Sequence, residues 1–132
     1  MTQLINDSGF VADDWQSGFA PQAANGPQDQ GLEVGSDADP NAIPLNVPAI
    51  RVAFPSFSDG RGFTIARMLR LRGYEGRLRA FGHVIADQYA MARRSGFDEV
   101  EIPDDLARRQ PEDQWIFRAD WQAHDYQARL RG

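Results

Sequence analysis

The chain contains no cysteine and no lysine, and all 14 of its basic residues are arginine. The absence of cysteine excludes disulfides, a thiolate nucleophile and cysteine-ligated iron–sulfur clusters. The absence of lysine excludes a side-chain Schiff base, and codon bias in a GC-rich genome would explain it. Any catalysis must therefore use aspartate, arginine, histidine, tyrosine, backbone groups or a bound cofactor.

Long apolar runs are also missing, and none approaches the length of about 18 residues that predicts a membrane span. Residues 1–6 carry neither a basic region nor a long apolar stretch, so we expect no secretory signal and a cytoplasmic protein. The net charge of −5 argues against general nucleic-acid binding, which depends on neutralising phosphates. No interaction with nucleic acid or membrane is predicted.

Cofactor motifs are absent from the sequence as well. It has no lysine-containing phosphate loop, no complete GxGxxG fingerprint and no GxSxG elbow. The only histidines are His83 and His124, which makes a metal site improbable. We therefore predict neither a cofactor nor a metal.

What the sequence does contain is an unusual distribution of charge. Residues 1–50 hold seven acids and no arginine, residues 51–79 hold seven arginines and two acids, and residues 80–132 hold ten acids and seven arginines. One arginine-dense block in an acidic chain favours a local anion site. The alternative is that these arginines form the solvated face of one helix.

The hydrophobic pattern predicts an α/β protein with a small βαβαβ parallel-sheet core, an N-terminal hairpin and a C-terminal helix. We expect the hairpin and a turn in residues 1–20, and a flexible linker in 21–48, where five of the eight prolines fall. The core and the last helix then occupy 49–132. The predicted core elements are strands at 50–54, 77–81 and 97–102, helices at 63–72 and 83–95, and a last helix from 111. Such a three-stranded sheet exposes two edges, which predicts a homodimer or docking onto a partner.

The loop after the first core strand is the best candidate for a site, because ligands of open parallel sheets bind at the carboxyl ends of the strands. Asp59-Gly60-Arg61-Gly62 follows Ser58 and leads into a helix. Backbone N–H groups near the two glycines, together with Arg61, would hold a phosphate, sulfate or carboxylate. Alternatively, Asp59 only shapes the turn.

Further candidates lie outside this loop. His83 and Asp87 are four residues apart at the start of the predicted second helix, so they would share a face as an acid–base pair or as an ordinary surface pair. Arg67 and Arg79 are candidate anion ligands. A strand arginine such as Arg79 needs a carboxylate partner, for which we expect Asp87 or Asp59.

Several segments together resemble the bacterial DUF934 family. The family pattern runs roughly FPxFxDGRGxSxARxLR, then GExRAxGxVxxDQ, then RxGFD. The matching segments are Phe54 to Phe63, Ala66 to Arg70, Leu78 to Val84, Asp87-Gln88 and Gly96 to Asp98. The chain departs from the family in its proline-rich segment before Ile50, and in Ser95, where a cysteine is frequent. A redox role for that position therefore does not apply here.

The resemblance implies a link to sulfur assimilation, because members are labelled probable oxidoreductases of sulfite reduction after proteins encoded beside sulfate-reduction genes. Since no redox-cofactor motif is present, we expect an accessory protein that binds a small anion or docks on sulfite reductase or another enzyme of sulfur assimilation. Its anion ligands would be Ser58, Gly60, Arg61, Gly62, Arg67 and Arg79. The alternatives are an enzyme for a phosphorylated or sulfonated metabolite, with Asp59, His83 and Asp87 as catalytic residues, and a motif that only maintains the fold.

Overall fold

A computed structural model describes residues 2–15, 18–21 and 30–118. These residues form an α/β fold built on one mixed sheet, in the order β2-β1-β7-β6-β5-β4-β3. The strands are β1 (Thr2–Asn6), β2 (Gly9–Val11), β3 (Phe19–Pro21), β4 (Gly31–Val34), β5 (Ala49–Phe54), β6 (Arg77–Gly82) and β7 (Glu99–Pro103). The helices are α1 (Arg61–Leu71), α2 (Tyr89–Ser95), α3 (Asp104–Arg109) and α4 (Glu112–Arg118), and a 3₁₀ turn, Ala86–Gln88, precedes α2.

The predicted α/β class is confirmed, and so are its central features. Strands β3 to β7 pair in parallel, and β1 and β2 form the N-terminal hairpin. The hairpin joins the main sheet, because β1 also pairs antiparallel with β7. The expected count of three core strands is wrong, because the sheet has seven strands, with β2 and β3 at its two edges. The homodimer stays a prediction. Each helix in the described part of the chain is too short or too polar to span a membrane.

The expected flexible linker at 21–48 needs correction where the structure describes it. Gly31–Val34 forms β4 against β5, and the side chain of Ile43 is buried in the core. Arg72 holds the segment further by donating to the carbonyl oxygens of Pro40 and Ile43. The pairing of β4 and the burial of Ile43 thus order these parts of the segment despite its prolines. Residues 22–29 lie outside the described residues.

The two faces of the sheet differ in chemistry. Alternate residues of the parallel strands, such as Ile50 and Val52 of β5, are apolar and pack with the buried side of α1 in one core. The other face carries Arg51, Arg79 and Glu99 in adjacent register positions. We call this second surface the charged face. It places a row of charges where a parallel sheet usually has a second apolar layer.

Candidate functional site

The loop between β5 and α1 is held by an ion pair of its own. One carboxylate oxygen of Asp59 accepts hydrogen bonds from the backbone N–H of Arg61 at 3.1 Å and from its Nε at 2.9 Å. The other oxygen accepts from a terminal guanidinium nitrogen at 2.8 Å. The Arg61 side chain thereby holds the pKa of Asp59 far below its ordinary value. A carboxylate this acidic and this fully engaged is a poor general base.

Two acids, Asp59 and Asp37, offset the charge of the Arg61 guanidinium. The same guanidinium nitrogen donates to the Ser36 hydroxyl at 3.1 Å. Asp37 lies near enough to add to the effect of Asp59 in raising the pKa of Arg61. A shallow cavity of about 330 Å³ adjoins Arg61, with Asp37 and Thr64 in its lining. A small dianion entering it would meet little net positive charge, so the geometry does not favour the predicted anion clamp.

The two glycines of the motif have different reasons to be there. A Cβ added to Gly62 would collide with the ring of Phe54 beneath the first turn of α1. A Cβ added to Gly60 would meet nothing within 4 Å, and its φ of −83° suits any residue. Close packing of α1 on β5 therefore accounts for Gly62 without a bound anion. Ser58 is also engaged, because its N–H and hydroxyl contact the Ser56 hydroxyl.

The end of β6 brings His83 beside this loop. Gly82 has a φ of +116°, and an added Cβ there would collide with the carbonyl oxygen of Phe54. His83 then donates its backbone N–H to that oxygen at 2.9 Å. The predicted helix start at His83 is wrong, because helical structure begins only at Ala86. His83 and Asp87 therefore do not share the helical face that their spacing predicted.

A cavity of about 400 Å³ lies at the carboxyl edge of the sheet, and we call it the edge cavity. Its apolar lining comes from Phe57, Ile85, Pro103 and Leu106. Its polar lining comes from His83, Asp105, Arg109 and Gln110. The chain thus contributes to it after each of the strands β5, β6 and β7, where open parallel sheets place their ligands.

Two glutamines that the sequence reading missed hold the walls of this region together. Gln88 donates its side-chain amide to the carbonyl oxygen of Phe57 at 2.6 Å. Gln110 accepts from the backbone N–H of Ala86 at 2.6 Å. Gln88 stands in a segment that matches the family pattern, which was an available signal. Gln110 has none, because only the fold brings it near the 3₁₀ turn.

Two predicted anion ligands lie elsewhere. Arg67 projects from the exposed side of α1. Arg79 is on the charged face, where its side chain is 1% exposed and donates to Asp13, Glu99 and Glu101. The expected partners Asp87 and Asp59 are thus wrong. Burial alone would lower the pKa of Arg79, but the bonds to these acids outweigh it and raise the pKa.

The charged face has no room for an outside anion at Arg79. The two carboxylate oxygens of Asp13 accept hydrogen bonds from the two terminal guanidinium nitrogens of Arg79, each at 2.9 Å. Arg51 bonds to Glu33 and Glu101 and lies between the rings of Phe19 and Phe81. The cluster is therefore an internal network. Among the described residues, no group of three or more histidine or acidic side chains is placed to hold a metal ion.

The chain belongs to the DUF934 family, whose model, described as a bacterial protein of unknown function, matches residues 31–132. The predicted family membership is therefore confirmed. Neither the curated proteins nor the solved structures contain a significant match to this chain.

Proposed function

We propose that this DUF934 protein is an accessory protein of assimilatory sulfite reduction that docks on the reductase through the loop before α1. The link to sulfite reduction comes from the family resemblance alone, since members are labelled after proteins encoded beside sulfate-reduction genes. The choice of docking over catalysis comes from the geometry of the loop. Docking needs a preformed surface with an apolar anchor, whereas catalysis needs a base or a cation with free bonding capacity.

The observation that carries the proposal is the exposure of Phe57 on a braced loop. Its side chain is 59% exposed, although large aromatic residues usually bury much of their surface. The loop around it is fixed by the Asp59–Arg61 pair and by the bond from Gln88. A rigid loop that presents an aromatic ring loses little conformational entropy on binding a partner. Aromatic anchors of this kind dominate the energetics of protein interfaces.

The enzymatic alternative finds less support. Its proposed base, Asp59, is occupied by Arg61, and its proposed pair, His83 and Asp87, is not built as one helical face. Direct binding of sulfite by the loop is also disfavoured, because the charge of Arg61 is already balanced by Asp59. We therefore favour docking over catalysis and over direct binding of sulfite.

The test is a binding titration of the full chain with sulfite reductase from the same bacterium. We expect Phe57→Ser to weaken binding at least about tenfold, as truncation of an interface anchor does. Leu71→Ser is the matched control, because Leu71 is 74% exposed but ends α1 at the far side from the loop. No binding by the unaltered protein would refute the proposal. Equal losses in the two variants would refute the assignment of the surface.

A further inference from the structure

We infer that the edge cavity binds a small organic monoanion with a flat apolar body. The inference concerns the isolated protein and does not depend on its docking to sulfite reductase. The volume of about 400 Å³ lies within the usual range for ligand sites. A cavity of about 150 Å³ already holds a benzene ring, so a single substituted ring fits here and can reach the apolar lining. An inorganic anion would leave most of that lining in contact with water.

The apolar part of the cavity fits a flat body. The ring of Phe57 stands on one wall, and Ile85 and Leu106 supply aliphatic surface. Phe57 is largely exposed in the free protein. A planar ligand that stacks on it would bury this surface, and ring stacking adds to the stabilisation that area alone gives.

The polar part of the cavity supplies hydrogen-bond donors for one anionic group. The side-chain oxygen of Gln110 is used by the N–H of Ala86, which leaves its amide nitrogen as a donor. Arg109 bonds to Asp105 in two ways. Its Nε donates to the backbone oxygen of Asp105, and one terminal nitrogen donates to the carboxylate at 3.2 Å. Its other terminal nitrogen can therefore serve a second acceptor.

The balance of charge explains why the ligand should carry a single charge. Arg109 and Asp105 form a pair at the rim, with side chains 72% and 62% exposed. Like the Arg61–Asp59 pair, the Arg109–Asp105 pair carries no net charge. Binding in the edge cavity therefore rests on directed hydrogen bonds from Arg109 and Gln110 and on the apolar ring of the ligand, and a second negative charge would be repelled by Asp105. Carboxylate and sulfonate groups both satisfy this requirement, since each carries one negative charge and accepts charge-assisted hydrogen bonds.

The frame of the cavity is fixed before a ligand arrives. Trp115 is 1% exposed and donates its indole N–H to the carbonyl oxygen of Gln110 at 2.9 Å. Gln110 is thus held through its backbone by Trp115 and through its side chain by the 3₁₀ turn. The bond from Gln88 fixes the opposite wall at Phe57. Such preorganisation reduces the entropy lost when a ligand binds.

The experiment is a titration of the full chain with four probes, followed by NMR of the ligand and of the protein amides. Benzoate and benzenesulfonate carry the ring with two different anionic groups, benzyl alcohol carries the ring without charge, and sulfate carries charge without a ring. We expect both aromatic anions to bind with a Kd on the order of 1 mM, as suits ligands of this size. Benzyl alcohol and sulfate should each bind about tenfold more weakly.

Variants locate the site. Arg109→Gln should weaken benzoate binding about fivefold to tenfold, and Arg109→Lys should restore part of the affinity because it keeps the charge. Arg108→Gln is the matched control, since Arg108 is the preceding exposed arginine of α3 and does not line the cavity. The inference is overturned if sulfate binds as well as benzoate, if none of the probes binds, or if Arg109→Gln and Arg108→Gln behave alike. A preference between benzoate and benzenesulfonate would identify the anionic group.

Discussion

Arg79 on the charged face and Arg61 before α1 both meet protein carboxylates, yet their surroundings differ. The side chain of Arg79 is 1% exposed and that of Arg61 is 62% exposed. At Arg79 the acids Glu99 and Glu101 are also buried, so each charge depends on the others for the solvation it has lost. At Arg61 water screens the pair, which therefore shapes the loop more than it stabilises the fold.

The comparison shows that an arginine near a carboxyl edge does not by itself mark an anion site. Arg79 lies on a predicted parallel strand and carries the positive charge that an anion ligand needs. Strand alternation, however, turns its side chain away from the helices and into an internal network. Arg61 lies at the expected edge, but Asp59 uses its charge. Within the part of the chain that the structure describes, Phe57 and the other side chains of the edge cavity are available to a partner or ligand at that edge.

The largest expected effect is on the charged face. Arg79→Met would leave the buried Glu99 paired with Arg77, and the buried Glu101 paired with Arg51 and the Thr2 hydroxyl. We expect the free energy of unfolding to fall by about 3 kcal/mol, as when one member of a buried ion pair is removed. Urea denaturation measures this, with Arg67→Met on the exposed side of α1 as the control. A loss below about 1 kcal/mol would show that the network behaves like a surface cluster.

The next effect separates the two glycines of the loop. Gly62→Ala should lower the free energy of unfolding by about 1–3 kcal/mol, because the new methyl group collides with Phe54. Gly60→Ala should change it by less than about 0.5 kcal/mol, since the space there is open. Thermal unfolding of both variants is the measurement. Equal effects would contradict the packing explanation and revive a shared role in binding an anion.

A smaller effect on stability is expected at Asp59. Asp59→Asn removes the charge that pairs with Arg61 but leaves the loop exposed to water. We expect its Tm to drop less than that of Gly62→Ala, while reductase binding weakens because the loop loses its brace. Asp37→Asn, beside the same arginine, is the control. A variant that binds the reductase normally would show that the brace is unnecessary.

The smallest effect is a pH dependence on the charged face. The hydrogen bond from Arg79 lowers the pKa of Asp13 below its ordinary value of 3.8. A depressed folded pKa stabilises the protein above the unfolded pKa, and this contribution is lost as the pH falls through the folded value. The stability difference between the protein and Asp13→Asn should therefore be constant from neutral pH to about pH 5 and shrink below that. Denaturation at several pH values measures it, and a difference that grows on acidification would contradict the assignment.

Local patterns predicted the parts of the fold that depend on nearby residues. The hairpin, α1 and the parallel strands β5 to β7 follow from alternation, helical spacing and glycine stops. Strand β4 was missed because Gly31–Val34 is short and follows a segment rich in proline and glycine. Its formation depends on pairing with β5, which no local pattern shows.

The candidate site was predicted less completely for the same reason. The position of the loop at the carboxyl edge followed from the strand–loop–helix pattern. The partners of Arg79 did not, because Asp13 is 66 residues away along the chain. The role of Gln110 also depends on a contact 24 residues distant. The residue types identify the charged groups, but only the fold shows which of them already have partners within the protein.

The most direct test of the account is amide hydrogen exchange of the full chain with and without sulfite reductase. The account predicts that exchange slows on binding in the loop 55–60 and in 83–88, while β6 and β7 of the charged face exchange at the same rate. Slowed exchange confined to β3, the sheet edge opposite the hairpin, would contradict it. That result would mean that the partner adds a strand to the sheet and that Phe57 is not its anchor.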